Sequence, residues 1–107
     1  MNIQILMNDI GNGSSQMDVY QAGCTANVCL ITPNYVYVAN AGDSRSICSI
    51  NGKLEELSKD HKPEDAIEFE RIKNAGGEVK LGRVNGNLNL SRALGDLNFK
   101  FDKTLKP

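Results

Sequence analysis

Two stretches in the first half of the chain are rich in β-branched, aromatic and other apolar residues. They run from Cys24 to Ile31 and from Tyr35 to Ala41, and Pro33-Asn34 between them is turn chemistry. The pattern predicts a first antiparallel hairpin. The second stretch is almost continuously apolar, as is typical of a strand covered on both faces. We therefore expect that strand to take an interior position in a layered fold.

A second hairpin is predicted directly afterwards. A stretch from Arg45 to Ile50 leads into Asn51-Gly52, and Lys53 to Leu57 continues in an extended pattern. Asn-Gly favours the positive φ values that a tight type I′ turn requires. This dipeptide fixes where the second hairpin turns.

A helix is predicted from Glu64 to Ala75. Pro63 suits a first helical position, and Gly76-Gly77 supplies a stop because glycine adopts the left-handed conformation without a Cβ penalty. The apolar side of this helix is narrow, and we expect it to pack on the sheets. Its members are Ile67, Ile72 and Ala75, with Phe69 at one margin.

Shorter elements are predicted beyond the helix. Val79 to Leu81 and Arg83 to Asn87 contain strand-forming residues, and Asn85-Gly86 points to a small ribbon or a tight turn. Ser91 to Leu97 is compatible with one helical turn.

The two ends of the chain carry weaker structural signals. Asn8 to Gln21 has few large apolar residues and predicts a loop, with order beginning near Gly23. Phe99 to Pro107 alternates apolar and charged residues without a cap or closing element. We therefore expect the chain to stop partway through a larger structure.

Composition and charge narrow the classes of partner. The formal net charge of the 107 residues is −1, with acidic and basic side chains interspersed, which argues against a nucleic acid or an anionic membrane as partner. No apolar run approaches the roughly 20 residues that span a bilayer. The chain has three cysteines, Cys24, Cys29 and Cys48, and no two of them form a closely spaced pair. We therefore expect buried, reduced thiols in a soluble cytoplasmic protein.

Asp43 is the best candidate for a metal ligand, because it directly follows a predicted strand and carboxylates at strand ends are well placed to hold hard cations. An alternative is a turn aspartate that accepts backbone hydrogen bonds or pairs with Arg45. Spacing alone favours that alternative. The lone histidine, His61, precedes Pro63 in a turn and is read as structural.

Arg83 and Arg92 can each hold a phosphate through a planar fork of donors, although isolated arginines more often form ion pairs. The glycine pairs Gly11-Asn12-Gly13 and Gly76-Gly77 match no Walker or dinucleotide pattern. The sequence therefore gives no support to nucleotide binding.

Six short motifs, in order and over most of the chain from about Gly23 to Lys100, resemble the type 2C family of metal-dependent protein serine/threonine phosphatases. They are Gly23-Cys24-Thr25-Ala26, Asn40-Ala41-Gly42-Asp43-Ser44-Arg45, Asp60-His61-Lys62-Pro63, Glu70-Arg71-Ile72 with Ala75-Gly76-Gly77, Arg83-Val84-Asn85-Gly86 and Ser91-Arg92-Ala93-Leu94-Gly95-Asp96. The resemblance implies an α+β fold, a four-layer α-β-β-α sandwich with antiparallel sheets, of which this chain holds a part. It also implies a binuclear Mg²⁺ or Mn²⁺ site and hydrolysis of phosphoserine and phosphothreonine in phosphoprotein substrates by a metal-bridging hydroxide.

The resemblance also carries roles to particular residues. Asp43 is similar to the family aspartate at a third, weaker metal site, and Thr25 to a threonine near the binuclear centre. Arg83 falls in the flap segment beside the active site and is expected to contact substrate. Arg92 and Asp96 are expected to be mainly structural, with Asp96 capping or pairing, and His61 does not match the family's active-site histidine.

Several family motifs have no counterpart in this sequence. The glutamate-aspartate pair, its preceding arginine and the aspartate-glycine-histidine-glycine stretch are missing before Gly23, and two later aspartate motifs are absent. We therefore expect residues 1–107 to form a partial domain, with 1–22 poorly defined and 23–107 central, to have little activity alone, and to expose apolar faces and unpaired strand edges. The alternatives are a non-catalytic phosphoprotein-binding or regulatory relative, or a small α+β interaction module with coincidental motifs.

Overall fold

The computed structural model describes residues 21–100, which form an α+β arrangement of antiparallel strand pairs and one helix. The strands pair as β1–β8, β2–β3, β4–β5 and β6–β7. The elements in chain order are β1 Gly23–Cys24, β2 Ala26–Ile31, β3 Val36–Ala41, β4 Ile47–Ile50, β5 Lys53–Glu56, α1 Ala66–Asn74, β6 Val79–Lys80, β7 Arg83–Val84, β8 Leu94–Gly95 and a 3-10 turn Leu97–Phe99.

The first predicted hairpin is confirmed. β2 and β3 pair from Ala26 opposite Ala41 to Ile31 opposite Val36. The predicted strand over 24–31 is broken at Thr25, because β1 leaves the hairpin and pairs with β8 instead. Thr25 thus stands at the junction of two sheets.

The predicted turn chemistry of the second hairpin is also confirmed. Asn51 and Gly52 have φ values of 52° and 78°, the left-handed pair that a type I′ turn requires. After the helix, β6 and β7 form a small ribbon that turns at Leu81-Gly82, and Asn85-Gly86 forms the predicted tight turn directly after β7. Local turn residues therefore determine where the chain reverses direction in both β4–β5 and β6–β7.

Apolar side chains of the β2–β3 hairpin lie open in the described part of the chain. Val36 is 52% exposed and Tyr37 is 55% exposed, so the prediction of a strand covered on both faces is wrong for this structure. Cys24 and Cys29 are exposed and Cys48 is half-buried, which contradicts the expectation of buried thiols. Exposed apolar faces and two-stranded sheets with open edges, as predicted, are observed for residues 21–100.

The helix begins at Ala66, two residues later than predicted. Pro63 is fully buried and lies in a turn before the helix rather than in its first turn. That turn is closed by two hydrogen bonds: the Lys62 backbone N–H donates to Asp65 Oδ2 (3.2 Å), and the Asp65 N–H donates to the Lys62 carbonyl (3.1 Å). The polypeptide is therefore held rigidly just ahead of α1.

The buried side of α1 differs from the predicted one. Ile67 is 72% exposed, whereas Glu68 and Ile72 are only 3% and 6% exposed. These two residues are one turn apart and share a face, while Ile67 lies about 100° away from Glu68 around the helix. The helix thus buries a carboxylate beside an isoleucine, and the prediction for Ile67 is wrong.

The predicted helical turn over 91–97 is absent from this part of the structure, because Leu94 and Gly95 extend into β8 and pair with β1. Gly95 has a φ of 83°, and a Cβ there would collide with the Ala22 carbonyl oxygen. Two glycines, Gly23 and Gly95, face each other in this pairing, which allows the two backbones to approach closely.

Among residues 21–100, no helix is long and apolar enough to cross a membrane. The loop predicted for Asn8 to Gln21 lies, apart from Gln21, outside the described residues, as does most of the predicted irregular end from Phe99 to Pro107.

A pair of alanine substitutions tests the observed face of α1. Ile72→Ala should lower the free energy of unfolding by about 2–3 kcal/mol, because a buried isoleucine leaves a cavity. Ile67→Ala should change it by less than about 0.5 kcal/mol, because that side chain is mostly in solvent. Urea unfolding followed by circular dichroism measures both. Equal losses would contradict the observed orientation.

Candidate functional site

The loop that follows β3 is the centre of the candidate site. Gly42 is buried with a φ of 109°, and a Cβ at this position would overlap the methyl group of Thr25. Only glycine therefore fits between β3 and Thr25. The close approach of Thr25 directs the chain so that Asp43 and Ser44 follow at the end of the strand.

Residues 59–62 run beside this loop and are joined to it at successive positions. The Asn40 side-chain amide donates to the Lys59 carbonyl (2.9 Å). The Gly42 N–H donates to His61 Nδ1 (3.2 Å), and the His61 N–H donates to the Gly42 carbonyl (3.0 Å). His61 is thus occupied with the loop backbone, and its structural role is confirmed.

Asp43 and Lys62 are brought together by this alignment. Asp43 Oδ2 accepts a hydrogen bond from Lys62 Nζ at 2.7 Å, and the two side chains are 23% and 40% exposed. The hydrogen bond from Lys62 to this carboxylate raises the pKa of the ammonium above its usual range. Asp43 is therefore an ion-paired carboxylate at a strand end.

Arg45 does not pair with Asp43, so the Asp43–Arg45 ion pair considered in the sequence analysis is not formed. Its guanidinium binds both carboxylate oxygens of Asp60, at 2.9 Å and 3.0 Å. The hydrogen bond to Asp60 raises the pKa of Arg45, and the same bond lowers the pKa of Asp60. Arg45 thereby links the residue after the loop to the 59–62 segment.

Thr25 lies next to the aspartate loop. Its hydroxyl and that of Ser44 are 2.8 Å apart and share a hydrogen bond. Ser44 directly follows Asp43, so Thr25 supports the aspartate through the neighbouring residue.

A cluster of amide and hydroxyl side chains joins the two hairpins beneath this loop. Asn27 donates to Asn40 Oδ1 (3.0 Å) and accepts a hydrogen bond from Ser46. The Ser46 backbone N–H donates to Ser58 Oγ (2.8 Å). These bonds set the position of β4–β5 relative to β2–β3 and therefore the position of the loop between them.

An ion network that the sequence did not predict connects α1 to the 91–92 segment. The buried Glu68 carboxylate accepts hydrogen bonds from Arg92 Nε (2.9 Å) and Nη2 (2.8 Å) and from Arg71 Nη2 (2.8 Å). Arg71 also donates to the Ser91 carbonyl. The signal available in the sequence was Glu68 three residues before Arg71, but Arg92 lies too far along the chain for spacing to predict it.

The pKa of Glu68 is set by two opposing effects. Burial alone raises it, but hydrogen bonds from Arg92 and Arg71 outweigh the burial, so the pKa lies below the usual glutamate range. Glu68 is therefore a charged carboxylate, and Arg92 has the structural role expected for it.

Arg83 is not part of the aspartate loop. It lies exposed on β7, and its Nη1 donates to the Asn87 carbonyl at 2.8 Å. Within residues 21–100 its side chain makes no hydrogen bond or ion pair with Thr25 or Asp43. The structure therefore brings Thr25 and Asp43 together and keeps Arg83 on the separate ribbon.

Asp96 is buried, with 7% exposure and a left-handed φ of 48°. It makes no side-chain cap bond to the 3-10 turn, and its Oδ2 has no hydrogen-bond partner. Within residues 21–100 the structure therefore does not show the capping or pairing expected of Asp96. Its carboxylate instead packs against Gly23, where a Cβ would overlap it.

The described residues fit one metal-ligand position but not a complete metal centre. Between residues 21 and 100, no group of three or more His, Cys, Asp or Glu side chains is arranged to hold an ion. Asp43 offers one partly exposed carboxylate that already attracts a cationic group, which is the chemistry of a single oxygen ligand for a hard cation.

Comparison with known proteins connects this arrangement to one family. The protein phosphatase 2C family model matches residues 4–106. The "Probable protein phosphatase 2C 6" of Paramecium tetraurelia is 63% identical over 86 residues, covering 80% of this chain and 29% of that protein. "Protein phosphatase ppm-1.G" of Caenorhabditis elegans is 51% identical over 96 residues, covering 90% of this chain and 20% of that protein.

A solved structure agrees with these relatives. A crystal structure of a phosphatase from Toxoplasma gondii matches with a TM-score of 0.58 and 32% identity, covering 81% of this chain and 38% of that one. The chain thus spans less than a third of the length of the two relatives above. Since the family pattern extends over nearly all of its residues, the chain belongs to the protein phosphatase 2C family.

Proposed function

We propose that this chain supplies the central part of a metal-dependent protein serine/threonine phosphatase. The whole catalytic domain hydrolyses phosphoserine and phosphothreonine in phosphorylated protein substrates and uses Mg²⁺ or Mn²⁺. We further propose that residues 23–107 belong to a four-layer α-β-β-α sandwich. Two features support the sandwich: the apolar faces of the two hairpins, which are open to a covering layer, and the placement of α1 after them.

The observation that carries this proposal is the Asp43 carboxylate at the end of β3. It is partly covered, and its neighbouring backbone is locked by Gly42 and His61. The backbone that carries this carboxylate therefore needs little reorganisation when a cation binds. Within this proposal Asp43 would contribute one oxygen ligand to a divalent cation.

The other site residues have supporting roles. Thr25 holds the aspartate loop in place through the Ser44 hydroxyl, and Arg83 offers an exposed guanidinium for the phosphate or acidic groups of a substrate protein. When bound, the divalent cations activate water and neutralise charge on the transferring phosphoryl group. No residue among 21–100 is assigned as a covalent nucleophile.

A second candidate function is phosphoprotein binding without turnover. It is favoured by the lack of a multi-carboxylate cluster within residues 21–100, and by the exposed Arg83 on its own ribbon. The two functions differ in whether a bound phosphopeptide is hydrolysed. We propose a cytoplasmic location for either one, because exposed free thiols such as Cys24 and Cys29 persist in a reducing compartment.

A segment exchange tests the proposed function. Residues 21–100 replace the matching segment of the Paramecium tetraurelia relative, and hydrolysis of a phosphothreonine peptide is measured with Mn²⁺, with Mg²⁺ and with a chelator. We expect metal-dependent turnover within about tenfold of the unexchanged protein, because 63% of the matched residues are identical.

The 107-residue chain measured alone is the companion sample, and we expect little or no turnover from it. A folded exchanged protein that binds the phosphopeptide but does not hydrolyse it would support the non-catalytic alternative. Turnover by the isolated chain with Mn²⁺ would show that further carboxylates are dispensable.

A further inference from the structure

Lys62 already places a positive charge on the candidate metal ligand. Its ammonium lies 2.7 Å from Asp43 Oδ2 and makes no other hydrogen bond within residues 21–100. The other lysine of the same segment, Lys59, is exposed, and only its backbone carbonyl contacts the loop. The pairing is therefore specific to Lys62.

The backbone of Lys62 is held in place, whereas its side chain can change conformation. The backbone is held by two hydrogen bonds with Asp65 and is followed by the buried Pro63. The side chain is 40% exposed, and its ammonium is carried on a flexible four-carbon stem. The ammonium can therefore swing into solvent while the turn before α1 stays in place.

A divalent cation and the Lys62 ammonium repel each other when both bind the same carboxylate. Mg²⁺ or Mn²⁺ bound to Asp43 Oδ2 would lie within about 5 Å of the Lys62 nitrogen in its present position. Repulsion between a double and a single positive charge at that range exceeds what a partly exposed ion pair contributes. Binding of the cation therefore requires Lys62 to leave.

We propose that Lys62 is a resident competitor for the divalent cation at Asp43, so that it lowers the cation's affinity and is displaced when the cation binds. Monovalent ions, which carry no more charge than the ammonium, do not displace it. Lys62 thus acts as a positioning residue that restricts this carboxylate to divalent ions. The inference rests on the proposed function in taking Asp43 as a cation ligand.

The test is a Mn²⁺ titration of the isotopically labelled 107-residue chain, without substrate, following paramagnetic broadening of the Gly42 and Ser44 amide signals. Lys62→Met keeps the length of the side chain and removes its charge. In Lys62→Met, we expect half-maximal broadening at a Mn²⁺ concentration about tenfold lower than in the unsubstituted chain. Lys59→Met, the matched control, should change the midpoint by less than about twofold.

Asp43→Asn should remove this broadening in both the unsubstituted and the Lys62→Met chain at up to about 10 mM Mn²⁺. Equal midpoints for Lys62→Met and Lys59→Met would overturn the inference. So would broadening that survives Asp43→Asn, or a lack of broadening even in Lys62→Met.

Displacement can also be observed directly, without any substitution that could unfold the chain. Mg²⁺ should shift the Lys62 side-chain Cε and Nζ signals toward those of exposed lysines and leave the Lys59 signals unchanged. A Lys62 signal that does not move while the Ser44 amide responds to Mg²⁺ would contradict displacement. Because no phosphopeptide is used, absence of turnover in the exchanged protein leaves these results unaffected.

Discussion

Asp43→Asn in the exchanged phosphatase is expected to lower kcat/KM for a phosphothreonine peptide by about a hundredfold, equivalent to about 2.7 kcal/mol. Asparagine preserves the size of the side chain but removes the negative charge that attracts both the cation and Lys62. The loss should therefore be electrostatic, with the fold retained. Initial rates at increasing Mn²⁺ measure it.

The matched control for this substitution is Asp60→Asn. Asp60 is also an ion-paired aspartate with a mostly covered side chain, but its partner is Arg45. We expect a change in kcat/KM of less than about threefold, because Arg45 is half-exposed and can be solvated. Similar losses for both substitutions would mean that Asp43 acts through general packing and not as a metal ligand.

Glu68→Gln is expected to lower the free energy of unfolding by about 2 kcal/mol at neutral pH. A glutamine cannot neutralise Arg71 and Arg92, which converge on the buried carboxylate. Breaking a buried ion pair from one side commonly costs 3–5 kcal/mol, but both guanidiniums here reach solvent, which reduces the effect. Urea unfolding gives the loss, and Glu70→Gln on the exposed side of α1 is the matched control, with an expected change below about 0.5 kcal/mol.

The pH dependence of stability should change in the same variant. The pKa of Glu68 is lower in the folded chain than the value of about 4.3 expected when unfolded, so its contribution is complete above that value. The contribution is lost as the pH falls below about 4.3 and through the folded pKa. Glu68→Gln should therefore show a flatter decline in stability on acidification than Glu70→Gln, and parallel curves would contradict the assigned ion network.

Local sequence chemistry predicted much of this fold. Asn51-Gly52 and Pro33-Asn34 placed both hairpins, since turn residues act over a few positions. Burial was predicted less well. The apolar run of β3 did not show whether another layer lies across it, because that depends on elements distant in the chain.

The helix face shows why counting apolar positions failed. Ile67 was the better candidate by hydrophobicity, yet Glu68 is buried because two arginines compensate its charge. Of these, Arg92 comes from a segment more than twenty residues away. A buried ion network of this kind has no periodic signature in the sequence.

At the site, the sequence pointed to Asp43 as the candidate metal ligand but did not predict its ion pair with Lys62. Arg45 is nearer in the chain, whereas Lys62 arrives through the bonds that align Asn40 and Gly42 with Lys59 and His61. Such alignment of two distant segments becomes visible only in three dimensions. The roles proposed for Asp43, Thr25 and Arg83 remain predictions that rest on the family resemblance and on their positions.

The pairing of Gly23 with Gly95 has a consequence for the order in which the chain folds. The hairpins join residues at most 15 positions apart and can form within microseconds. The β1–β8 pairing must close a loop of about 70 residues, and it gains only two short strands in return. We therefore expect it to form last, after α1 and the hairpins have shortened the path between its ends.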